Sequence, residues 1–144
     1  MAVIQNKVQI NRSVEEVFDF TGDPRNELKW NPDVEIMEMI TDEPIGVGSK
    51  FRAKWKQSRI LELEFTRYDR PRAWTTFNGG LLSVNLDCTI TPDNTGTGAI
   101  FHSRFEIHPH GIMILLFPII LRSLKRAEKN NMAYIKQALE KSNS

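Results

Sequence analysis

A carboxyl and a carboxamide occur in this 144-residue chain where apolar side chains are expected. From Ile112 to Lys141 the apolar residues recur with helical period: Phe117, Ile120, Leu121, Leu124, Ala127, Ile135, Ala138 and Leu139 gather on one face. Arg122, Lys125, Arg126, Lys129, Lys136, Gln137 and Glu140 fall on the other, which defines one long amphipathic helix. At about 100° per residue, Asn131 lies roughly 20° and Glu128 roughly 40° from the stripe centre at Leu124. A carboxyl held in apolar surroundings has a raised pKa and can act as a general acid or base, so Glu128 is the catalytic candidate if the protein is an enzyme. Two readings stay open for the pair. Both side chains point inward and need partners there, or Asn131 bonds to a strand side chain while Glu128 reaches out along the helix edge.

The other residues capable of chemistry are less well placed. His102, His108 and His110 have no Cys or carboxylate at a spacing that completes a metal site, so neither a metal nor another cofactor is expected. Cys88 sits in an apolar strand register with no local His pattern, which predicts a buried, inert thiol. No GxSxG nucleophile motif is present, and the run Glu43 to Ser49 is turn chemistry without GxGxxG spacing.

With 19 Lys plus Arg against 18 Asp plus Glu, the chain has no global field to recruit nucleic acid or an anionic bilayer, so any partner must be recognised locally. The length suits a single domain, 1–144, with a core that needs no disulfide. One cysteine and no signal-like N-terminal segment place the protein in the cytoplasm. Ile112 to Leu121 is ten residues without a charge, far short of the roughly 20 that span a bilayer. That run is either a helix start buried on all sides or an apolar lip where a ligand enters, a membrane is touched or a second subunit docks. A monomer or a homodimer is compatible with it.

The elements that must position these residues follow from periodicity. Ile4, Val8 and Ile10 alternate with polar residues in a first strand. Ser13 three residues before Glu16 is a capping box for a short helix, and Asp23-Pro24 begins a second, stopped at Asn31-Pro32. Six strands then follow. Val34 to Ile40 is of uncertain register. Phe51, Ala53 and Trp55 alternate with basic residues, and Leu61, Leu63 and Phe65 alternate with Glu62 and Glu64, a hairpin in which Arg52 and Lys54 pair with those glutamates. Ala73 to Asn78, Leu82 to Ile90, and Ala99 to Ile107 complete the set. The short loops imply an α+β fold: a curved, antiparallel, seven-stranded sheet wrapped around the long C-terminal helix, with two short helices between strands one and two.

In this order and spacing, several segments together resemble the START-like, helix-grip superfamily of polyketide cyclases, lipid-transfer domains and the birch pollen allergen type. They are Ser13 to Phe18, Trp30 to Val34, Gly46 to Phe51, Phe65 to Pro71, Gly96 to Gly98 and Tyr134 to Glu140. The resemblance covers the whole chain and implies an apolar cavity between sheet and helix. Candidate ligand contacts are then Trp30, Phe51, Trp55, Phe65, Phe77, Cys88, Phe101, Ser103, Phe105, Leu124, Glu128, Asn131 and Ile135. For each apolar one, plain core packing is the competing reading. The implied function is binding or transport of a small hydrophobic molecule such as a lipid, polyketide or aromatic metabolite. The alternative is a cyclase or dehydratase using Glu128.

Overall fold

A computed structural model describes residues 1–56 and 58–141. Strand β1 (Ala2–Ile10) leads into α1 (Val14–Thr21), a 3-10 turn (Pro24–Asn26) and α2 (Glu27–Trp30). Then come β2 (Val34–Met39), β3 (Lys50–Trp55), β4 (Leu61–Asp69), β5 (Ala73–Asn78), β6 (Leu82–Pro92), β7 (Ala99–Pro109) and α3 (Met113–Lys141). All seven strands form one antiparallel sheet in the order β1-β7-β6-β5-β4-β3-β2. Consecutive hairpins build β2 through β7, and β1 closes against β7, as short loops require.

The local signals act as expected. Ser13 Oγ accepts from the Glu16 N–H at 3.1 Å, and the Glu16 carboxylate accepts from the Ser13 N–H at 3.4 Å, closing the capping box of α1. Asp23 caps the turn that Pro24 opens. The uncertain register of β2 is settled by an irregularity between Val34 and Ile36. This bulge lets Val34, Met37 and Met39 all pack on the core and leaves Ile36 opposite Lys54. On the outer face Arg52 lies opposite Glu62, but the ion pairs do not simply follow that hairpin. Arg52 turns to Glu38 and Lys54 to Glu35, both on β2, and Lys50 reaches Glu62.

The core lies between the concave sheet face and the helices. Phe65 is fully buried at its centre and meets Phe51, Tyr68 and Trp74 in edge contacts with ring centroids 5.4 to 6.0 Å apart. The two halves of α3 behave differently. Its C-terminal half buries Met132, Ile135 and Leu139. That end is clasped to β1: Lys136 Nζ donates to the Gln9 carbonyl at 2.6 Å, and the Asn11 N–H donates to the Glu140 carboxylate at 2.9 Å. The N-terminal half leaves Ile114, Leu115, Leu116 and Ile119 exposed, as is Ile112 just before it, and even its inward Phe117, Leu121 and Leu124 are only half-buried. The charge-free run is thus not a helix start enclosed on all sides.

Candidate functional site

Strand register lays out the inner wall as rows. In one row Ile4, Phe105, Leu86 and Thr76 stand side by side on β1, β7, β6 and β5. Two residues along, the next row is Asn6, Ser103, Cys88 and Trp74, and beyond it come Val8, Phe101 and Ile90. Phe101 and Ile90 are sealed, whereas Phe105 and Leu86, and Val84 and Leu82 beyond them, keep accessible surface although they face inward from central strands. The inner wall is therefore covered unevenly: Ile4, Thr76, Asn78 and Ile107 beside these residues are buried, while Leu82, Val84, Leu86 and Phe105 are only half-buried.

Two carboxyls lie near the boundary. Glu27, on α2, accepts on one oxygen from the Trp55 indole N–H at 2.6 Å and from the Asn31 carboxamide at 2.8 Å. Burial pushes its pKa upward against those two bonds. Glu128, on α3, is contacted by the Asn131 carboxamide at 3.4 Å, and Asn131 is itself buried. Burial first, and then the neighbouring charge of Glu27, pushes Glu128 up to about 8, with the Asn131 bond opposing the rise. Both residues are half-buried as a whole, so each keeps some surface while its carboxyl pays a desolvation cost. The raised pKa favours the protonated form of Glu128, the form a general acid needs. Cys88 is enclosed, and burial chiefly, with the nearby Glu128 charge adding to it, holds its thiol protonated and unreactive.

An open cleft of about 450 Å³ runs beside α2 and α3, lined by Leu28, Lys29, Trp30, Asn31, Pro32 and Tyr134. Asn31 belongs both to this cleft and to the Glu27 bond. A second hollow, of about 380 Å³, is bounded by Ile60, Leu61, Glu62, Glu64, Phe77 and Gly79, away from both carboxyls.

Of the residues singled out from sequence, Phe51, Phe65, Cys88, Phe101, Ser103, Asn131 and Ile135 are buried. Trp30, Trp55, Phe105, Leu124 and Glu128 are half-buried. Phe77 does not join them: it lies between Glu64 and Asn85 on the outer face and is 43% exposed, because strand alternation turns Thr76 and Asn78 inward instead. Glu27 is not among the residues expected from sequence. Its signal is the spacing Glu27, Trp30, Asn31, which places a carboxylate beside an aromatic and an amide on one side of a single helical turn. Asn6 is a second addition, and its signal is an apolar parity position between Ile4 and Val8. Among the described residues, no group of three or more His, Cys, Asp or Glu side chains is placed to hold a metal ion.

A curved sheet gripping one long helix, with polar groups set into an otherwise apolar interior, defines the class of helix-grip domains. The chain belongs to the polyketide cyclase / dehydrase and lipid transport family, whose model matches residues 1–140. Among solved structures, TTHA0849 from Thermus thermophilus superposes with a TM-score of 0.81 at 13% identity, covering 99% of this chain and 100% of that one. Ara h 8.0201 gives 0.72 at 11% identity, with 96% and 97% covered. A norcoclaurine synthase point mutant from Thalictrum, in complex with a transition-state analogue, gives 0.72 at 16%, with 99% and 96% covered. These likenesses establish the fold. No curated protein matches the chain in sequence.

Proposed function

We propose that the chain is a cytoplasmic binding or carrier protein for a small hydrophobic molecule, such as a lipid, a polyketide or an aromatic metabolite. The molecule is held between the concave sheet and the N-terminal half of α3. The observation that carries this reading is the accessible surface left on inward-facing Leu82, Val84, Leu86 and Phe105 of the central strands β6 and β7. Apolar side chains there would be sealed if the helix packed on them throughout. Family membership and the two or three polar groups at the boundary support it, since small-molecule sites are apolar with few orienting polar groups.

Native mass spectrometry of gently purified protein, together with fatty-acid and lipid-extract binding assays, is expected to show saturable apolar binding. Leu86→Trp is expected to weaken that binding roughly tenfold or more while leaving the melting temperature nearly unchanged, because the added ring enters free space. Absence of saturable binding in the native protein would overturn the reading. So would a Leu86→Trp variant that binds as before, or one destabilised by the ~1–3 kcal/mol typical of an overpacked interior.

The exposed apolar run of α3 supplies the entrance. Leu115 and Ile119 are 81% and 76% exposed, and Arg122, Arg126 and Lys129 continue the same outer face of the helix. Among the described residues, none of those three cations has an acidic partner. An apolar tip continuous with unpaired cations fits an anionic bilayer surface. No helix among the described residues is long and apolar enough to cross a membrane, so the contact would be peripheral. Co-sedimentation with phosphatidylglycerol vesicles is expected, weakened by salt and by Leu115→Asp with Ile119→Asp. Equal binding to neutral vesicles, no binding at all, or a dimer dissolved by the same variant would assign the surface elsewhere.

The geometry at Glu128 favours one second reading, a cyclase- or dehydratase-like enzyme in which this residue is the proton donor. The upward shift of its carboxyl, to which burial contributes most and Glu27 next, is the specific support.

A further inference from the structure

The open cleft beside α2 and α3 lies outside the space between sheet and helix. Its volume of about 450 Å³ falls within the range of small-molecule sites, roughly 300–1,000 Å³. α2 supplies Leu28, Lys29 and Trp30 to its walls, the turn that follows supplies Asn31 and Pro32, and α3 supplies Tyr134. Leu28 is 52% and Tyr134 37% exposed, and Trp30 between them is half-buried, so apolar surface from two elements stands open to solvent around one hollow.

The wall on the α2 side is held in place. Asn31 is buried, and its carboxamide donates to Glu27, which also accepts from the Trp55 indole on β3. The Asn31 carbonyl oxygen accepts from the Asp33 N–H at 2.9 Å, just before β2. α2 is thereby tied to two strands, and little ordering is needed to receive a ligand.

The polar groups of the cleft, by contrast, are free. Trp55 and Trp74 donate their indole N–H groups to Glu27 and Thr21, at 2.6 and 3.2 Å. The Trp30 indole N–H has no partner among the described residues, and neither has the Lys29 ammonium or the Tyr134 hydroxyl. The acidic side chains nearest in the chain are engaged elsewhere: Glu27 with Trp55 and Asn31, and Asp33 with Lys56 at 3.8 Å. Lys29 thus brings an uncompensated positive charge to a hollow that also has two aromatic side chains in its walls.

We propose that this cleft is a second binding site, for a flat aromatic acid whose ring lies against Trp30 and Tyr134 and whose carboxylate pairs with Lys29. Aromatic faces favour a planar guest, and an ammonium gives a carboxylate a charge-assisted bond. The site does not rest on the carrier reading, because none of its residues lies on the inner wall of β5, β6 or β7.

The test titrates the full chain, labelled with nitrogen-15, with 2-naphthoate and with its neutral counterpart 2-naphthamide, following amide and indole signals by two-dimensional NMR. Saturable shifts are expected for 2-naphthoate at Leu28, Lys29, Trp30, Asn31 and Tyr134. The Trp30 indole signal should move while those of Trp55 and Trp74 stay. At low salt the acid is expected to bind about three- to tenfold more tightly than the amide, a margin that shrinks as salt is added. Lys29→Gln should erase that margin and keep amide binding, whereas Tyr134→Ala should weaken both probes; both positions are exposed, so neither change disturbs the core. Leu86→Trp, which fills the interior, should leave the titration unchanged. Shifts confined to Leu82, Leu86 and Phe105, or binding lost in Leu86→Trp, would place the probe in the interior and overturn the cleft. No saturable shift, equal affinity for acid and amide, or a margin that survives Lys29→Gln also overturns it. Movement of the same signals on raising protein concentration without probe would assign the surface to contact between copies of the chain instead.

Discussion

Glu128→Gln is expected to raise the melting temperature of the protein above about pH 8 and to leave it nearly unchanged near pH 4. The sign follows from the folded-state pKa, which lies near 8 against an ordinary value of 4.5. Between those values the unfolded chain has released the Glu128 proton and the folded chain still holds it. Stability contributed by this residue is therefore fully present below about 4.5, declines as pH rises and is lost once pH passes the folded value. The whole interval corresponds to at most about 5 kcal/mol, a large part of the ~5–15 kcal/mol by which a domain is typically stable. Gln keeps the shape and the amide contact but cannot ionise, so the variant's stability should fall much less across that window. Some decline remains, because burial raises Glu27 in the same direction. Thermal melts of both proteins from pH 4 to 9 provide the measurement; parallel curves would show that the carboxyl is solvated rather than enclosed. The same variant separates the two functional readings. A carrier should bind its cargo after the change. An enzyme should lose turnover while keeping binding, and full activity of Glu128→Gln would eliminate it as the acid.

Phe65→Ala is expected to cost about 3–5 kcal/mol, enough to leave the protein partly unfolded at physiological temperature. Phe65 has no exposed surface and touches three other aromatic rings, so deleting its ring removes both its burial and three edge contacts. The void would open at the level where β3, β4 and β5 hold their inward side chains, and rigid strands cannot easily collapse to fill it. Urea unfolding of Phe65→Ala and of the milder Phe65→Leu gives the comparison. A loss under ~1 kcal/mol for the alanine variant would mean that the ring borders free space, making Phe65 a ligand contact rather than core. Phe105, inward but half-buried, should respond in the opposite way: its truncation alters binding more than stability.

Much of this molecule is legible as sequence because it depends on short-range rules. Strand alternation, the Ser13 to Glu16 box, Pro24 at the opening of a turn and the stripe of α3 are each set by neighbours within a few residues, so periodicity recovers the elements and their order. The apolar face of α3 announces Glu128 and Asn131 in the same way. Phe77 fails for a related reason. Aromatic character suggests inwardness, whereas the pleat of β5, anchored by Trp74 facing Cys88, commits position 77 to the outer face.

Three matters were decided only by the tertiary structure, all of them by distances between segments far apart in the chain. The indole of Trp55 reaches the Glu27 carboxylate that Asn31 holds within one helical turn, and this carboxylate on α2 then enters the field of one on α3; the local spacing contains the Asn31 bond but neither of the other two meetings. The bulge in β2 chose among Val34, Ile36, Met37 and Met39 by which of them the core could receive. Finally, an apolar stripe says that a helix docks but not how closely along its length. Local periodicity determined that α3 faces the sheet. Packing between remote elements decided that Ile135 and Leu139 are sealed while Leu124 stands half free.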